Sequence, residues 1–160
     1  MKSRSSSSIT LLLDIIDESF EKKAWHGPNL RGSIRGLTAK EAAYRPSGKR
    51  HNIWEIVVHC AYWKYIVRRR ILGEKRGSFA LKGNNWFMRP EEPDEEEWGN
   101  DVFLLENEHR AMREAIADLS DADLRNIPTG SKVSNRAIIT GIASHDVYHA
   151  GQIQLLKKFL

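Results

Sequence analysis

The chain carries six histidines, His26, His51, His59, His109, His145 and His149, and the last two stand four apart in H-D-V-Y-H. On a helix, residues four apart lie one above the other with Cβ atoms roughly 5–6 Å apart, so both imidazoles can reach one ion. With six histidines in 160 residues, such a pair arises by chance about one time in five, so the flanking residues must carry the argument. Ile138, Ile142, His145, His149, Ile153 and Leu156 form one stripe at steps of three and four, which turns both histidines toward the apolar side of their helix. Ile56, His59, Trp63 and Ile66 form a second such stripe. Packed helices lie about 8–10 Å apart, close enough for imidazoles from both to meet. Three buried rings without partners would be costly, because each has a donor and an acceptor to satisfy, and one metal ion relieves all three. The competing explanation is three separate core histidines, each bonded to a carbonyl, hydroxyl or carboxylate.

The H-x-x-x-H spacing also invites comparison with the H-E-x-x-H of zinc proteases. Position 146 is Asp, one methylene shorter than the glutamate base of those enzymes, and residues 150–160 contain no His, Asp or Glu to serve as a downstream ligand. The protease reading is therefore rejected, and a third ligand has to come from earlier in the chain, where His59 is the candidate.

Four long helices are needed to position these residues. Apolar spacing predicts the first over residues 9–24 and the second over 52–72, ending at Gly73. The third is expected over 94–119, opened by Asp94 with Glu97 three residues on, and the fourth over 134–159. A short helical stretch follows Pro28 over 30–37, and Thr38 with Glu41 reads as a capping box for another turn before Pro46. No alternating strand pattern occurs, so the fold class is all-α, a four-helix bundle. Residues 73–93 form a linker of 21 residues, long enough to traverse a bundle and leave helices two and three parallel. Phe79, Trp86 and Phe87 are expected to pin that crossover to the body. Residues 1–8 read as a disordered tail and 9–160 as a single domain.

Composition narrows the class further. The chain is 41% apolar and 29% charged, which argues against global disorder. No apolar run reaches the roughly 20 residues of a membrane span, and residues 9–16 are interrupted by Asp14, unlike a secretory signal. The single cysteine, Cys60, excludes an internal disulfide and a multi-thiolate zinc site, and a cytoplasmic location is the expectation. The net charge is +4. Lys64, Arg68, Arg69, Arg70, Lys75 and Arg76 make the end of the second helix basic, but cations there complement the helix dipole, and neither a recognition helix-turn-helix nor a stacking platform supports nucleic-acid binding.

A histidine on the second helix followed, after a long gap, by S-H-D-V-Y-H-A-G-Q-I resembles the DinB/YfiT-like superfamily of four-helix metalloproteins. The segments A-W-H-G-P-N-L at 24–30, H-N-I-W-E-I-V-V-H at 51–59 and R-R-R-I-L-G-E-K at 68–75 look like one branch of it. The resemblance implies an up-down-down-up order with the long crossover between helices two and three, and a divalent ion on His59, His145 and His149. Characterised members include S-transferases and an isomerase that use low-molecular-weight thiols such as bacillithiol and mycothiol. A small-molecule substrate, a thiol co-substrate and a homodimer are the corresponding expectations.

Three imidazoles suit zinc or nickel, and also iron or copper, and leave a position for water or substrate, as catalytic sites do. Two chemistries follow: hydrolysis by activated water, or deprotonation of a thiol that then attacks an electrophile. The resemblance favours a thiol S-transferase over a metal-dependent hydrolase or a non-catalytic, stress-associated metal-binding protein. Trp63, Tyr148 and Gln152 are candidates to wall the pocket or brace a ligand, against the plainer alternatives of core packing and helix-interface hydrogen bonds. Cys60 is rotated about 100° from His59, so it reads as a small buried hydrophobe. His26 and His51 are expected to cap or pair locally, and His109 has no evident role.

Overall fold

A computed structural model describes residues 6–160, and among these all regular structure is helical. The long helices are α1 (Ser7–Phe20), α4 (Ile53–Ile71), α5 (Glu95–Ala117) and α6 (Asn135–Leu156). Two short ones, α2 (Leu30–Ser33) and α3 (Ala39–Ala43), bridge α1 to α4. Among the described residues no helix is long and apolar enough to cross a membrane.

Each long helix is opened by a side chain that takes up one of the amides a helix start leaves without a partner. Ser6, Asn52, Asp94 and Ser134 accept from the amides of Ile9, Glu55, Glu97 and Ala137. Asn52 with Glu55, and Thr38 with Glu41, close complete capping boxes. Gly73, at φ +68°, lets the chain leave α4 in a conformation that side-chain-bearing residues disfavour.

Three expected boundaries move. The first helix ends at Phe20 rather than near residue 24, because the amides of Glu21 and Lys22 both turn onto the Asp17 carbonyl while the Lys22 ammonium reaches the Asp17 carboxylate at 2.7 Å. The tail is shorter than expected at its helical end: Ser6 caps α1, and Ser7 and Ser8 belong to the helix. Residues 1–5 lie outside the described residues. The fourth helix gives way after Leu156 to a 3-10 turn, Lys157–Phe159.

Residue pairs set the helix directions. Trp54 donates its indole N–H to Asp101 at 2.6 Å and Arg68 pairs with Glu108 at 3.3 Å, so α4 and α5 run in the same direction. Ile56 shares a groove with Leu156, and Val67 shares one with Ile138, so α4 and α6 are antiparallel. Arg113 holds Asp17 at 2.6 Å and His109 stacks on Phe20 at 3.7 Å, so α1 and α5 are antiparallel. These pairings fit an up-down-down-up order. The crossover is anchored by its aromatics: Phe79 and Phe87 sit 5.4 and 5.5 Å from the Tyr62 ring.

The core has two apolar clusters. One gathers Trp54, Val57, Val58, Trp98 and Leu105; the other gathers Ile9, Ile16, Met112, Ile116 and Ile139. Where α4 and α6 pass from one cluster to the other, Lys64 and Asp146 form a fully buried ion pair at 2.5 Å. Lys64 therefore does not belong to the exposed basic end of the second helix. Its stem is enclosed because α4 is packed by α5 and α6, and its ammonium lies 4.9 Å above the Phe20 ring of α1. Of the remaining arginines, Arg68 is paired with Glu108, and Arg69 lies 5.5 Å from the Tyr65 ring. His109 is also enclosed, stacked on Phe20, and burial pushes its pKa down to about 2.

Two stability predictions follow from this polar layer. Asp146→Ala leaves an uncompensated ammonium in the core and should lower unfolding free energy by about 3–5 kcal/mol, whereas Lys64→Met/Asp146→Leu should recover most of that loss, measured by urea denaturation. His109 stays neutral in the folded chain but takes up a proton near pH 6.5 when unfolded, so its contribution is full above 6.5 and is lost as pH falls below it. His109→Phe, which keeps the stack, should flatten the stability curve there by up to about 1.4 kcal/mol per pH unit. Equal slopes for the two proteins between pH 6 and 4.5 would contradict this.

Candidate metal centre

His59 projects from the middle of α4, and His145 and His149 from successive turns of α6. The three ring nitrogens converge: Nε2 of His145 lies 3.1 Å from Nε2 of His59 and 3.1 Å from Nε2 of His149. All three ligand atoms fall within 4.8 Å of one another. Nitrogens bound to one ion at about 2.0–2.1 Å, at angles between octahedral and tetrahedral, stand roughly 2.9–3.4 Å apart.

Hydrogen bonds at the outer nitrogens decide where the lone pairs point. Nδ1 of His59 faces the Asn85 carbonyl at 2.8 Å and Nδ1 of His149 faces Gln152 Oε1 at 2.6 Å. Both acceptors require an N–H on Nδ1, which leaves Nε2 of each ring as a bare lone pair. His145 can offer at most one proton to two such lone pairs, so the neutral trio cannot satisfy itself. Adding protons is disfavoured as well. Burial, followed by its histidine neighbours, pushes His145 down to about 3; burial and then His59 push His149 down to about 4. His59 is also lowered by burial. The outward N–H groups of His59 and His149 are tied to oxygen, while Nδ1 of His145 has no partner among the described residues. The three inward-facing neutral nitrogens form a donor set that fits a divalent cation, with the outer partners of His59 and His149 fixing tautomer and orientation. The group could hold a metal ion; the donor set alone does not choose among zinc, nickel, iron and copper.

The crossover supplies what α4 lacks. Asn85 sits at φ +59°, a region that Asn enters more readily than most residues, and there its carbonyl meets His59 while its side-chain oxygen accepts from the Trp63 indole at 2.9 Å. Trp86 then lies flat on His59, with ring centroids 3.9 Å apart, and its stack continues to His51 at 3.6 Å. Asn85 was not among the expected site residues. Its signal is faint: an Asn in an irregular linker just before an aromatic.

The other candidates are placed as follows. Gln152 braces His149 and donates from Nε2 to the Tyr148 hydroxyl at 3.1 Å. Tyr148 is 63% exposed, so it flanks the site at the surface. Trp63 is half-buried and edge-on to His59 at 6.4 Å, and it walls the groove that reaches His145. Ile66 is also only half-buried, so the expected α4 stripe points fully inward at Ile56 and His59 alone. His51 pairs with Glu55 at 3.0 Å, His26 is exposed, and neither is near enough to ligate. Cys60 is fully buried, and burial raises its thiol pKa well above the ordinary value. The Asp146 carboxylate faces Lys64.

Two grooves flank the trio. One of about 220 Å³ runs along the α4–α6 seam past Trp63, Val67, Arg70, Ile138 and His145. The other, of about 480 Å³, passes Arg50, His51, Trp86, Gln152, Leu155 and Phe159.

Removing the central ring should remove the site. His145→Ala is expected to abolish tight uptake of zinc or nickel, while Gln152→Ala, which frees His149 to rotate, should weaken it about 10–100-fold. Competition against a chromophoric chelator measures both, and unchanged affinity in His145→Ala would show that the ion binds elsewhere.

A sequence model of the DinB superfamily matches residues 24–153, a stretch that includes all three histidines, the crossover and most of α6. No curated protein and no solved structure matches the chain. With the family pattern covering most of its length, the chain belongs to the DinB superfamily.

Proposed function

We propose that the protein is a divalent-metal-dependent enzyme, using zinc or nickel, that joins a low-molecular-weight thiol to an electrophilic small molecule. The observation that carries this reading is the groove along the α4–α6 seam that His145 lines. Its walls are Trp63, Val67, Ile138 and Ile142, and Arg70 stands toward the opposite end. Ile138 and His145 lie two helical turns apart, about 10 Å, which suits an extended molecule with sulfur at the imidazoles and a carboxylate at the guanidinium.

A divalent ion on the three histidines would supply the Lewis acidity that makes a thiol nucleophilic at neutral pH. The chain's own residues then have limited tasks. Arg70 pairs with the thiol's carboxylate, the indole of Trp63 shields the sulfur end from water, and Gln152 and Asn85 keep the imidazole N–H groups turned outward. In the net reaction the S–H proton leaves to solvent, an S–C bond forms, and the leaving group departs from the electrophile. Hydrolysis is less well served, because the carboxylate within the H-x-x-x-H segment, Asp146, is buried and held by the Lys64 ammonium rather than free to take a proton from water.

The test pairs two thiols with one chromogenic electrophile. The zinc- or nickel-loaded protein should consume N-acetylcysteine and form the thioether, and His149→Ala should reduce the rate to background. Arg70→Ala should raise KM for N-acetylcysteine several-fold and leave 2-mercaptoethanol, which has no carboxylate, unchanged. Ester or amide hydrolysis without thiol consumption would replace this reading with a hydrolase, and neither activity would leave a non-catalytic metal-binding protein.

A further inference from the structure

The metal centre uses α4 and α6. On the opposite side of α5, a cleft of about 420 Å³ opens among α1, α2 and α5. Arg31, Arg35, Arg110 and Arg113 line it, and Phe20 and His109 form its buried end. Two of the guanidiniums are committed: Arg31 to Glu106, and Arg113 to both oxygens of Asp17 at 2.6 and 2.8 Å. Arg35 and Arg110 have no carboxylate partner among the described residues; Arg110 donates only to the side chain of Asn107, at 3.0 Å. Among the described residues Glu21 is the one lining acid without an ion pair, so cations remain in excess.

His109 supplies a second and independent observation. The residue is 3% exposed, and neither of its ring nitrogens has a hydrogen-bond partner among the described residues. A neutral imidazole carries one N–H and one lone pair, and leaving both unpaired in the interior is unfavourable. Its stack on Phe20 accounts for the ring's faces and leaves its edges unexplained. Both nitrogens are closed off from the open cleft, so a ligand oxygen at its floor gives the N–H an acceptor as the ring turns in its own plane against Phe20. Guanidiniums match oxyanions because their N–H groups form two parallel bonds to a carboxylate or phosphate.

We infer that this cleft is a binding site for a small oxyanion, a phosphate ester or a carboxylate, held by Arg35 and Arg110 at its mouth and by His109 at its base. The site is separate from the three-histidine centre and does not depend on the activity proposed for it.

Metal-loaded protein is titrated with glycerol 3-phosphate and, in parallel, with succinate, while the histidine ring C–H resonances and the heat of binding are recorded at low salt. The expected result is saturable binding of at least one of the two, with a shift of the His109 resonances, and the tighter ligand identifies which oxyanion the cleft takes. Arg35→Ala/Arg110→Ala removes only exposed side chains, so it should fold and load metal normally, yet bind about tenfold or more weakly. His109→Phe keeps the stack and should bind several-fold more weakly. Binding that survives the double arginine variant unchanged, an unmoved His109 signal at saturation, or no binding of either probe would overturn the inference.

Discussion

Three imidazole rings turn a nitrogen toward one another in a space that water scarcely reaches, and the outer N–H groups of two of them, His59 and His149, are secured on oxygen so that their lone pairs point inward. Two neutral nitrogens facing each other at 3.1 Å repel unless a proton or a cation lies between them. Burial makes the proton expensive, holding His145 and His149 near pKa values of about 3 and about 4. The site is therefore selective by elimination: what relieves it is a positive ion that accepts several lone pairs at once. Much of the surrounding structure serves that constraint. The α4–α6 packing sets the separation of the rings, Gln152 orients one of them, and the backbone of the crossover orients another.

The crossover thus has two functions. It returns the chain to the start of α5 so that α4 and α5 can run parallel, and on its way it presents the Asn85 carbonyl and the Trp86 face to His59. A shorter connection would give an antiparallel α5 and leave His59 without its acceptor. The topology and the chemistry of the site are coupled through one irregular segment, whose backbone takes a left-handed conformation at Asn85.

The histidine trio could be read from the chain because helical periodicity is a strong signal and a histidine on an apolar stripe contradicts the stripe unless it has a partner. Helix starts were equally legible, since Asn52, Asp94 and Ser134 cap by a local rule. Lys64 was misplaced for the complementary reason. A lysine beside Arg68, Arg69 and Arg70 reads as surface, and its partner Asp146 lies 82 residues away, a pairing that no local pattern encodes. Asn85 and the edge of His109 were missed because their roles depend on where a loop and a third helix come to rest. Trp63 and Ile66 show the same limit more mildly: periodicity gives the direction of a face but not how far a neighbouring helix covers it.

The buried Lys64–Asp146 pair bears on the chemistry as well as the fold. Asp146 is adjacent in sequence to His145 and would be the obvious proton acceptor if the H-x-x-x-H segment worked as in a metalloprotease. Helical geometry turns residues 145 and 146 about 100° apart, so one faces the trio while the other enters the layer between the two apolar clusters. There Lys64 neutralises it, and breaking such a pair costs more than forming it gains. A carboxylate held in this way cannot swing out to accept a proton without abandoning an ammonium in the core. With that acceptor withdrawn, a substrate that brings its own acidic hydrogen, as a thiol does, asks less of this chain than water would.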